Sequence, residues 1–152
     1  MKTKLVILVC LLVVGTQSTV LAGSGRSTVN EKIVKAFRDA FPLAEKVDWI
    51  EKGDHVYVHF KEHEVLSEIE YDHDGNFLFS ERYYTNADML PLHLSWELHK
   101  KFHDKTVFGV TEATTESETF YFIKMEDNRE WITIKATSDG SMQVTEKFNK
   151  LG

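Results

Sequence analysis

The 152-residue chain has a single cysteine, Cys10, and only two prolines. One cysteine excludes an internal disulfide scaffold and the paired Cys-x-x-Cys zinc and redox motifs. Basic side chains are the minority, 18 against 24 acidic, for a net charge of −6. A surface of that sign does not favour phosphate contacts, so the chain is not read as a nucleic-acid binder. No apolar run beyond residue 22 is long enough to span a bilayer. Gly-x-Ser-x-Gly, a phosphate loop and HExxH are all missing. The chain is therefore read as non-enzymatic and free of cofactor. What it does have is 42% apolar and 12% aromatic residues, enough for one sizeable core but not for two large domains.

The first residues read as an export signal. Lys2 and Lys4 precede the apolar run Leu5–Val14, and Val20-Leu21-Ala22 places small or apolar residues before Gly23. This order predicts cleavage after Ala22, giving a signal peptide over 1–22 and a periplasmic or secreted protein with no stable membrane insertion afterwards. Cys10 lies inside the apolar run and follows Val9, which does not suit lipid attachment. Residues 23–27, Gly-Ser-Gly-Arg-Ser, read as a flexible leader. The mature chain then holds no cysteine.

The remainder, 28–152, reads as one domain made of one unit written twice, over 28–85 and 88–150. An offset of 65 residues aligns Ile33 with Leu98, Phe37 with Phe102, Tyr57 with Phe122 and Ile69 with Ile134. It also aligns Asp74-Gly75 with Asp139-Gly140 and Glu81-Arg82-Tyr83 with Glu146-Lys147-Phe148. Each unit opens with a helix. Thr28-x-x-Glu31 is a capping box, Ile33, Phe37 and Phe41 form an apolar stripe with Ala36 and Ala40, and Pro42 stops the helix. In the second unit Asp88 is the expected cap, Pro91 suits the first turn, and Leu94, Leu98 and Phe102 make the stripe.

Four strands follow in each unit, at about 46–51, 54–61, 64–72 and 76–84, then about 106–114, 118–126, 129–137 and 141–148. Face matching sets Phe60 opposite Val65, Val58 opposite Ser67 and Val56 opposite Ile69. A three-residue turn His73-Asp74-Gly75 sets Tyr71 opposite Phe77 and Ile69 opposite Phe79. The same rule sets Ile134 opposite Val144 and Ile132 opposite Glu146. The predicted fold class is α+β: tandem αβ4 repeats with one helix per repeat packed on one face of an antiparallel sheet. The two four-stranded sheets are expected to join edge to edge.

The run FRDAFPLAEKVDWIEKGDHVYVHF, then IEYDHDGNFLFSERYY, then Leu90-Pro91 opening a second helix, resembles the PepSY-like, beta-lactamase-inhibitor-like secreted proteins of Bacteroides-type bacteria. The resemblance covers essentially all of the mature chain. It implies a periplasmic location, the tandem αβ4 layout of beta-lactamase inhibitory protein, and no enzyme activity. The chain departs from that inhibitor in having no disulfide.

The sheet face opposite the helices is the candidate site. Its predicted members are Tyr57, Leu66, Leu78 and Tyr84 in the first unit and Phe120, Phe122 and Trp131 in the second, with Trp49 joining them. Trp131 is expected between Lys124 and Lys147 as a cation–π sandwich. Aromatic and basic residues on an exposed face are typical anchors for a protein or peptide partner. This makes the chain an exported binding module for an unidentified envelope protein or peptide, with inhibition of an exported enzyme as one use. The alternative is a metal-binding or metal-sensing protein. It would use His99 and His103, four apart on the second helix, and His55, His59 and His63 at a spacing of four. Against it, these histidines read first as ordinary solvated positions. Asp72-x-Asp74-Gly75 lacks the later acids of a calcium loop and reads as turn chemistry.

Overall fold

A computed structural model describes residues 29–151. The predicted signal peptide, the leader and Thr28 lie outside the described residues. The element order is α1 (Glu31–Ala40), β1 (Glu45–Lys52), β2 (His55–Glu62), β3 (Val65–Asp72), β4 (Phe77–Tyr84), α2 (Leu92–Lys101), β5 (Thr106–Thr115), β6 (Thr119–Glu126), β7 (Glu130–Thr137) and β8 (Met142–Asn149). The strands form one eight-stranded antiparallel sheet in the order β1 to β8. There is no break at its centre, where Tyr84 pairs with Val110 and Arg82 with Glu112.

The helices differ in how they begin. The cap of α1 is Asn30, whose side chain accepts from the Lys32 N–H at 3.0 Å. That supplies a partner for one of the orphan amides of the first turn. The cap of α2 is Pro91 rather than Asp88, and it makes no side-chain capping bond. Helix α1 buries Ile33 and Phe37, while Ala36 and Ala40 of the predicted stripe are exposed. Helix α2 buries Leu94 and Leu98. Phe37 and Ile33 pack over Val56, Val58, Phe60 and Ile69. Leu94 and Leu98 pack over Val110, Ile123, Met125, Ile132 and Ile134. Because Tyr84 and Val110 continue the face of Ile69, both helices cover the same side of the sheet.

Strand bounds fall within a residue or so of the expected ones, but the pairing differs. Between β2 and β3 the loop is two residues, His63 and Glu64, both at positive φ (47° and 69°). The register is therefore Phe60↔Ser67 and Val58↔Ile69, two residues from the expected pairing but on the same face. The turn at 73–75 does have three residues, with Gly75 at φ 87° and its N–H donating to the Asp72 carbonyl. A Cβ on Gly75 would also meet Ile33 of α1 at 3.0 Å. Tyr71 pairs with Phe77 as expected, but Glu70 then pairs with Phe79, leaving Leu78 as a bulge. Ile69 consequently meets Ser80, not Phe79. A second bulge at Thr145 keeps Ile134↔Val144 but pairs Ile132 with Lys147 rather than Glu146. One extra residue reverses which face every later side chain occupies.

Candidate protein-binding face

Among the described residues no element covers the side of the sheet away from the helices, and its chemistry changes across its width. On β2 and β3 it carries His55, Tyr57, His59, Glu68 and Glu70. His55 Nδ1 contacts Glu70 Oε1, the Tyr57 hydroxyl donates to the same oxygen at 3.2 Å, and His59 Nε2 lies 2.7 Å from Glu68 Oε2. Partial desolvation first, and then the Glu70 charge, raise the Tyr57 pKa. These side chains are matched to one another across the strands.

On β6, β7 and β8 the same face is aromatic and basic. The ammonium of Lys135 sits 4.0 Å from the Phe120 ring centroid and 5.9 Å from that of Phe122. Trp131 pairs with Glu126 on one side and Phe148 on the other. Its indole N–H donates to Glu126 Oε2 at 2.9 Å, and Lys150 lies 5.0 Å above its ring while bonding the same oxygen. Trp131 is 41% exposed and Phe148 59% exposed. A cross-strand row, Leu66–Tyr83–Thr111–Phe122–Lys135, joins the two halves. The Tyr83 phenol contacts Glu81; its pKa is pushed up to about 12, by burial first and then by that carboxylate.

Six predicted residues lie on this face: Tyr57, Leu66, Phe120, Phe122, Trp131 and Lys124. Four do not. Tyr84 is on the helix side, 6% exposed, with its hydroxyl donating to Glu112, because the bulge at Leu78 inverts the rest of β4. The same bulge takes Leu78 out of the alternation and puts Phe79 on the open face. Lys147 is on the helix side through the bulge at Thr145, bonding Glu130 at 2.5 Å. Trp49 pairs with Val58 and meets Phe37 edge-on at 5.3 Å, which places it under α1. The expected cation partners of Trp131 are therefore replaced. Lys124 pairs with Thr133, and the cation over the indole is Lys150.

Tyr83, Phe148, Lys135 and Lys150 were missed by sequence reasoning. The 65-residue offset already aligned Tyr83 with Phe148, and two aromatics kept at surface positions were the available signal. The histidines do not converge. His99 and His103 are exposed, and His103 lies beyond the end of α2. Among the described residues, no group of three or more His, Cys, Asp or Glu is arranged to hold a metal ion. None of their helices is long and apolar enough to cross a membrane.

Neither a protein-family model nor a curated protein matches the sequence. Solved structures do match in fold. A BLIP-like protein from Bacteroides fragilis superposes with a TM-score of 0.58 at 17% identity, covering 82% of this chain and 89% of its own. A candidate periplasmic protein from Bacteroides eggerthii gives 0.56 at 15% identity, covering 80% and 88%. A DUF2874 family protein from Bacteroides ovatus gives 0.57 at 14% identity, covering 80% and 88%. At these identities the likeness is one of architecture: the chain has the fold of BLIP-like and DUF2874 proteins.

Proposed function

We propose that the chain is an exported, non-enzymatic binding module that docks an envelope protein or peptide on its open sheet face. The observation that carries this reading is a pair of aromatic–lysine groups on the open face of β6–β8. Half-buried Phe120 and Phe122 lie under Lys135, and exposed Trp131 and Phe148 stand farther along the strands, with Lys150 over Trp131. Large aromatic side chains give much contact area for little lost rotamer freedom, and such anchors dominate binding energy. The His–Glu pairs of β2 and β3 suit a polar rim, since each carboxylate already has a histidine beside it. The fold shared with a BLIP-like protein supports use as an inhibitor of an exported enzyme. The signal-like residues 1–22 support periplasmic or secreted placement after cleavage at Ala22. We read the domain as two PepSY-like units, 28–85 and 88–150, whose later sequences diverged in what they display.

Capture of envelope proteins by immobilised protein tests the reading, with Trp131→Ala and Phe122→Ala as the variants. A partner captured by wild type and lost from both folded variants supports it. Equal capture by all three overturns it.

A further inference from the structure

A second feature lies on the opposite side of the sheet, in the gap the two helices leave uncovered. Between the end of α1 and the segment entering α2 is a cavity of about 360 Å³. That is the lower end of ordinary small-molecule sites. Its floor is the helix-side face of β2, β3 and β4. Phe60, Ser67 and Arg82 are direct cross-strand partners there, and Ile69 pairs with Ser80 in the next row. Phe41 and Met89 close its sides.

The polar groups of this floor are unusual for their position. Ser67 is the one buried polar residue among those described, at 8% exposure. No described residue hydrogen-bonds its hydroxyl, which lines the cavity. The Ser80 hydroxyl is likewise without a partner among the described residues. Arg82 donates one N–H, from Nη1, to Glu112 Oε1 at 3.2 Å. A guanidinium has five N–H donors, so most of its capacity remains open. Both hydroxyls open onto the cavity and bond no described residue, so with Arg82 they give an otherwise largely apolar pocket a few polar groups able to orient a ligand.

We propose that this cavity binds a small amphipathic monocarboxylate. The carboxylate is held by Arg82 with the Ser67 and Ser80 hydroxyls, and the apolar body lies against Phe60, Ile69 and Met89. Two hydroxyl donors beside a planar guanidinium match a carboxylate. The ligand carries one negative charge at most, because Glu112 already offsets part of Arg82, and Glu62 and Glu68 line the same cavity with His63, Glu68 being drawn toward His59. A dianion would be repelled there. This site is separate from the open face and does not depend on the reading given for it.

Titration of the purified protein with octanoate, followed by backbone amide NMR, tests the proposal, with octan-1-ol as the uncharged control. Saturable shifts centred on Ser67, Ser80 and Arg82, with sub-millimolar affinity for octanoate, are expected. Arg82→Gln is expected to weaken octanoate by about 10–100-fold and to leave octan-1-ol unchanged. Ser80→Leu, which fills the cavity and leaves the Arg82–Glu112 pair in place, is expected to abolish both and keeps the test valid if Arg82→Gln fails to fold. The proposal is overturned if wild type shows no saturable shift at these residues. It is equally overturned if the shifts map to the open face, or if octanoate affinity survives Ser80→Leu or a folded Arg82→Gln.

Discussion

The two halves of the molecule differ in where their phenylalanine and tryptophan rings cluster. Under α1 the core is aromatic: Phe37 is in ring contact with Phe41, Trp49 and Phe60, at centroid distances of 4.9–5.3 Å within the cluster. Its open face pairs histidine with glutamate on β2 and β3, with Tyr57 beside them and Phe79 and Tyr83 on β4. Under α2 the core is mainly aliphatic, built on Leu94, Leu98, Ile123 and Ile134, and the aromatic rings stand on the open face instead. One sheet can therefore separate two tasks. A half whose core is built of rings has a polar, mutually paired surface on β2 and β3, and a half whose core is filled by Leu, Ile and Met can expose rings to a partner.

Breaking either core should give the largest effect. Phe37→Ala is expected to cost about 3–5 kcal/mol and Leu94→Ala about 2–5 kcal/mol, large fractions of a typical 5–15 kcal/mol total. Because β4 and β5 pair across the middle of the sheet, each variant should lose both halves in one transition. Urea unfolding monitored by fluorescence and by far-UV circular dichroism checks this. Two separated transitions would mean that the halves are independent domains.

The faces should separate next. Trp131→Ala or Phe122→Ala is expected to weaken a captured partner by at least about 2 kcal/mol, roughly 30-fold, whereas His59→Ala should change it only a few-fold. Surface plasmon resonance with the captured partner measures both. Equal losses from the two halves would remove the distinction between anchor and rim.

A third contrast is electrostatic and lies in the second half alone. Lys105, 8% exposed in its side chain, bonds Asp127 and lies 2.8 Å from Glu130. Its hydrogen bonds hold both carboxyls below the usual carboxylate range, and theirs raise Lys105. A carboxyl with a depressed folded pKa contributes stability above its unfolded value and loses it as pH falls through the folded value. Stability from this cluster should therefore be complete at pH 7 and decline below about pH 4. The lysine's own contribution is complete below its unfolded value, about 10.4, and is lost only as pH rises through its higher folded value. Lys105→Met should lower Tm at pH 7 by several degrees and flatten the acid side of a Tm–pH profile. An unchanged acid limb would show that other groups control it.

The smallest effect belongs to the helix starts. Asn30→Ala should cost about 1 kcal/mol by removing the cap of α1. Pro91→Ala removes no side-chain capping bond from α2 and should cost less. Thermal unfolding of the pair measures the difference.

Much of this architecture was legible in the residues. Strand alternation at Val56, Val58 and Phe60, the helical stripe through Ile33 and Phe37, and the Asp-Gly turns each depend on neighbours a few positions away. Local periodicity and turn chemistry therefore specify them. Phe120, Phe122 and Trp131 were placed on the correct face for the same reason. Tyr84, Lys147 and Trp49 were not. Alternation places a residue only until the first bulge: Leu78 and Thr145 turn Tyr84 and Lys147 with no glycine or proline to announce them, and β1 has its own irregularity between Glu45 and Asp48, just before Trp49.

The sequence by itself thus determined the elements, their order and the open aromatic face of β6 and β7, because these follow from side chains two to four residues apart. Only the tertiary structure decided the bulges, the turning of Tyr83 outward and Tyr84 inward, the continuity of the sheet through β4 and β5, and the gap above Ser67 and Arg82. Each of these depends on how strands distant in sequence align and on where two helices of fixed length stop. Pairing across the whole sheet sets those alignments, and no single segment encodes them.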